Sequence, residues 1–156
     1  MNSGAIRRFA LSVVLALAAA QPAQARSTPM TEFGAIVLIA PQGQAASTAA
    51  VRQAILEAAT ARMWLTLDDK PGRLLLRFSK GGGKHSATIE ATYDAASMRV
   101  RYVDSVNLNH EVKDGKAVIH PTYNKWIEDL IKGTVVLHGR GAVAAAVPRP
   151  AASAPN

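Results

Sequence analysis

The chain has 156 residues, 18 lysines and arginines against 11 aspartates and glutamates, and no cysteine. That length accommodates one ordinary domain. The absence of cysteine excludes a disulfide framework, a thiolate metal site, a cysteine nucleophile and a lipid-accepting cysteine, so stability must come from a packed core.

The chain opens with MNSGAIRRFALSVVLALAAAQPAQA, in which Arg7 and Arg8 precede an apolar run from Phe9 to Ala20 and Ala23-Gln24-Ala25 forms a small-residue cleavage pattern. This reads as a cleaved signal peptide over residues 1–25 and predicts an exported protein, periplasmic or secreted. The apolar run is shorter than the roughly 20 residues that span a bilayer, so no stable membrane anchor is expected after cleavage. Removing Arg7 and Arg8 leaves 16 basic against 11 acidic residues, a formal +5. That balance favours anionic surroundings, but export and an aromatic content of 5% argue against nucleic acid. The expected partner is an envelope component or another protein.

Residues 26–47 read as either a linker or an added strand: AIVLIA, residues 35–40, is apolar enough to pair, whereas PQGQAAS is linker-like. An α+β domain is expected over residues 48–137. Ser47 or Thr48 is a plausible N-cap for a helix that places Val51, Ile55, Ala58 or Ala59, and Met63 on one face. Three or four strands follow. WLTL, residues 64–67, is short and ambiguous in facing. GRLLLRFSK puts Leu74, Leu76 and Phe78 opposite Arg73, Leu75, Arg77 and Ser79; HSATIEATY puts Ala87, Ile89, Ala91 and Tyr93 opposite Ser86, Thr88, Glu90 and Thr92. MRVRYVDS puts Met98, Val100 and Tyr102 opposite Arg99, Arg101 and Val103.

The turns set the register. KGGGK joins two strands as a hairpin, and residues 94–97, DAAS, close the next with Tyr93 opposite Met98. An antiparallel meander results, with Ile89 opposite Tyr102 on the buried face and Glu90 opposite Arg101 outside. Pro121 then starts a second helix with His120 at its boundary; Tyr123, Trp126, Ile127, Leu130 and Ile131 form its apolar stripe, and Gly133 ends it. The Ala/Pro-rich residues 138–156 read as a disordered tail. The predicted architecture is helix, three- to four-stranded antiparallel meander, helix, with both helices on one sheet face.

Few motifs carry chemistry. SKGGGKHS lacks the glycine and the serine or threonine that a phosphate loop needs, and it joins strands instead of opening a helix. His85, His110, His120 and His138 show no HxH or HxxxH spacing, so neither a metal nor a cofactor is indicated. Ser105 beside Asp104 has no nucleophile-elbow glycines. The arginines Arg73, Arg77, Arg99 and Arg101, with Lys80 and Lys84 near the turn, form a basic outer face that reads as solvated or as an anion-binding surface.

The more suggestive cluster follows from register. Asp104 is expected on the apolar face, opposite Ala87 and diagonal to His85, with His120, Tyr123 and Asn124 at the helix mouth. It reads as a polar clasp or as a pocket; Tyr102, Asp104, Asn107, His120, Tyr123 and Asn124 are the ligand-binding candidates. No catalytic residue is assigned, though His120 or His85 oriented by Asp104 would be the base of a small hydrolase if one existed.

Arg62-Met63-Trp64, Gly72, the run from Arg77 to Tyr93, Tyr102, Ser105, Asn107-Leu108, and Ile119-His120 with Tyr123-Asn124 and Trp126 resemble a family of small exported proteobacterial proteins labelled lipoproteins. The resemblance covers about residues 50–133, with IHxxYNxW its most specific element. It implies an envelope location and supplies no activity or catalytic residues. This chain departs from the family in lacking the lipidated cysteine and in placing Met63 where a glycine is usual. The function these readings support is a periplasmic, non-catalytic binding or envelope-accessory module.

Overall fold

Ser47 has extended backbone geometry and its hydroxyl accepts from the amide of Ala50, which starts helix α1 (Thr48–Ala61) as expected of an N-cap. The computed structural model describes residues 27–145; the expected signal peptide and the last part of the expected tail lie outside them. Before α1 come two short strands, β1 (Thr28–Pro29) and β2 (Ile36–Val37). After it come β3 (Trp64–Lys70), β4 (Arg73–Lys80), β5 (His85–Tyr93), β6 (Ser97–Val106), β7 (Glu111–Lys113) and β8 (Lys116–Ile119), then helix α2 (Pro121–Ala145). The α+β class holds.

The strand count does not. Among the described residues the strands form a five-stranded antiparallel sheet, β2-β6-β5-β4-β3, and a three-stranded one, β1-β8-β7. AIVLIA therefore supplies an added strand, with Leu38 buried and its amide bonded to the Ala96 carbonyl at 2.7 Å. The β7–β8 hairpin was missed because its strands are only three and four residues long, although Asp114 and Gly115 both take positive φ in the manner of a two-residue hairpin turn.

The expected register holds over most of β5 and β6: Tyr93 faces Met98, Ile89 faces Tyr102 and Glu90 faces Arg101. A carboxylate turn fixes it. Asp94 accepts from the amides of Ala96 and Ser97, each at 2.7 Å, and from the Ser97 hydroxyl, which hold its carboxyl below the ordinary range. Side chains of both helices join Leu74, Leu76, Phe78, Ile89 and Met98 in one buried cluster.

Two helix expectations need correction. Met63 is exposed, not on the core face of α1, because the helix ends at Ala61 and Met63 follows the cap in the left-handed region at φ 60. Gly133 does not end α2; the helix continues to Ala145 and carries His138 into a buried position, not into a tail. Gly133 instead provides room: a Cβ there would collide with the guanidinium of Arg62, which donates to the Ala58 carbonyl at 3.3 Å.

Candidate functional site

Every conspicuous residue at the start of α2 has a structural partner. His120 Nδ1 accepts from the Thr122 amide at 3.2 Å, so the imidazole caps the helix that Pro121 begins. Tyr123 is buried and meets Tyr102 edge-on at 5.7 Å; burial, then Tyr102, pushes its phenol well above the ordinary range. Asn124 grips the N-terminal segment twice, its Oδ1 accepting from the Thr31 amide and its Nδ2 donating to the Pro29 carbonyl, both at 3.0 Å. Trp126 packs on Phe78 with centroids 4.5 Å apart, and Phe78 in turn on Trp64 at 5.5 Å.

Asp104 does not join them. A bulge in β6 makes Val103 an extra residue between Tyr102, which faces Ile89, and Asp104, which faces Thr88. One inserted residue reverses the facing of all that follow. Asp104 is therefore exposed on the outer side, and Ser105 takes the place opposite Ala87, its Oγ 2.9 Å from the Tyr102 hydroxyl. The arrangement of His85 or His120 with Asp104 is absent.

The two histidines do share a cleft. With Lys80, Leu108, Thr122 and Trp126 they line a cleft of about 260 Å³. His85 Nδ1 lies 3.1 Å from the Asn107 carbonyl, and Asn107, at φ 54, sends its side-chain amide to the Lys84 carbonyl at 2.6 Å. Asn107 thus ties the β4–β5 turn to the end of β6.

The basic outer face is neutralised in part, at Arg73 and Arg101. Glu90 accepts from Arg73 at 2.6 Å and from Arg101 at 2.9 Å; Arg73, then Arg101, hold its carboxyl below the ordinary range. Asp68 pairs with Arg73 at 3.0 Å and Lys70 at 3.2 Å, and Arg77 donates to the buried Ser86 hydroxyl at 3.1 Å. Of the four expected arginines, only Arg99 makes no ion pair or hydrogen bond among the described residues.

The larger opening follows from sheet pairing. β6 pairs with β5 along its length but with β2 only at Ser97 and Met98, because the chain before Ile36 diverges toward β1. A cleft of about 590 Å³ borders the unpaired stretch, with Arg99, Arg101 and Tyr102 on the strand side and Met30, Glu32 and Phe33 opposite. Sequence reasoning named Tyr102, Tyr123 and the arginines but missed residues 30–33, which stand far away in the chain and enter through the pairing of β1 with β8 and the clamp at Asn124.

Among the described residues, no His, Cys, Asp and Glu side chains are grouped to hold a metal, and no helix is long and apolar enough to cross a membrane. In comparisons with known proteins, no family model, no curated protein and no solved structure matches the chain.

Proposed function

We propose that this is an exported, periplasmic and non-catalytic binding module, with the envelope location that its IHxxYNxW resemblance implies. In this reading both helices cover one face of a meander, and an extended polypeptide segment of an envelope protein is added along the open edge of β6. The observation that carries it is the one-sided pairing of β6 from Arg99 onward beside a cleft of about 590 Å³. An unpaired strand edge offers backbone donors and acceptors to a partner strand, while the neighbouring side chains select it. The bulge at Val103 limits the regular edge to residues 99–102, so the added segment is short.

Side-chain chemistry narrows the partner. Arg99 and Glu32 line opposite sides of the cleft and neither is in an ion pair among the described residues, whereas Phe33, Val100 and Tyr102 supply apolar wall. A segment alternating apolar residues with charges of both signs fits that lining. The test is an amide NMR titration with a pool of hexapeptides that alternate valine with lysine or glutamate. Shifts concentrated at residues 30–33 and 99–102 support the reading; saturating peptide without shifts there refutes it.

A further inference from the structure

The cleft of about 260 Å³ between the β4–β5 turn and the mouth of α2 is a separate site, and its two histidines are held in complementary tautomers. A carbonyl oxygen only accepts, so His85 Nδ1, 3.1 Å from the Asn107 carbonyl, carries the hydrogen, which leaves Nε2 as the ring's one acceptor position. A backbone amide only donates, so His120 Nδ1, 3.2 Å from the Thr122 nitrogen, carries none, and its Nε2–H is a donor. Neither Nε2 has a hydrogen-bond partner among the described residues. His85 lines the cleft from the β5 side and His120 from the α2 side.

We infer that this cleft recognises the acetamido group of an N-acetylated amino sugar. The N–H and C=O of a trans secondary amide point away from each other, so one amide can donate to His85 and accept from His120. A carboxylate or phosphate would satisfy His120 but set an oxygen lone pair against His85, and an ammonium group would do the reverse. Trp126 and Leu108 give the cleft an apolar wall, and Trp126 is half-buried with its ring braced by Phe78. A pyranose presents an apolar C–H face to such a wall and hydroxyls to Lys80. The volume suits one sugar ring, whereas a peptide would need a groove extending beyond these residues.

The test is an NMR titration of the full chain with N-acetylglucosamine, with glucose as the control lacking the amide and N-acetylalanine methylamide as the peptide-like control. The expected result is millimolar binding of N-acetylglucosamine that shifts the Trp126 indole N–H and the ring protons of both histidines, at least tenfold tighter than either control. His120→Asn keeps a side-chain acceptor for the helix start and removes the Nε2–H, and His85→Ala alters an exposed side chain; each should weaken binding about tenfold. Equal affinity for glucose or for the methylamide, undiminished binding in His85→Ala, or no shift at about 50 mM sugar would overturn the inference.

Discussion

Trp126 of α2 and Phe78 of β4 lie with ring centroids 4.5 Å apart and planes tilted by 58°, which keys the second helix to the sheet through an aromatic contact that Trp64 extends. Tilted aromatic pairs add to the area they bury, and Phe78 sits between two of them. Phe78→Ala should therefore cost about 3 kcal/mol in urea denaturation, more than its burial alone suggests. A loss below about 1 kcal/mol would show that the trio does not hold the helix.

Met63 occupies a left-handed backbone position at φ 60 with its side chain 79% exposed. A side chain there strains against its own backbone, and removing this one forfeits little packing. Met63→Gly should raise stability by about 1 kcal/mol, read as a higher urea midpoint at unchanged slope.

Asn124 links the N-terminal segment to α2 through two hydrogen bonds of 3.0 Å. In Asn124→Ala the Thr31 amide should exchange with solvent about tenfold faster, while amides in the β4–β5 pairing keep their rates. Uniform acceleration would mean global destabilisation instead of local release.

Glu90 is ion-paired on both oxygens, with Arg73 first and Arg101 second holding its carboxyl below its ordinary value of 4.5. A carboxyl lowered by folding contributes stability that is fully present above 4.5 and is lost as pH falls through its folded value. Glu90→Gln should lower stability at neutral pH by about 1 kcal/mol, since Arg101 is well solvated, and should make the acid loss of stability shallower. An unchanged acid limb would contradict the pairing.

How much of this was legible in the sequence depended on whether local chemistry determined each feature. Ser47, the turn at Asp94 and Pro121 announce themselves because a cap, a carboxylate turn and a helix start each need particular residue types. From Tyr93 opposite Met98, alternation carries the register to Ile89 and Tyr102. It fails one residue later, because nothing in YVDS distinguishes a regular strand from one with Val103 bulged, and that insertion moves Asp104 away from the histidines. Gly133 was misread because a helical glycine marks a stop or a close approach equally well, and only the position of Arg62 decides. The large cleft was hidden because it joins residues 30–33 to residues 99–102 through long-range pairing.

The most direct test of the open-edge account is the hexapeptide titration repeated in a charge-swapped variant, Glu32→Arg with Arg99→Glu. If β6 takes up a strand selected by those two side chains, shifts stay at residues 30–33 and 99–102 while the preferred order of lysine and glutamate along the peptide reverses, with about a tenfold change in affinity. Shifts elsewhere, or the same preferred order before and after the swap, would contradict it.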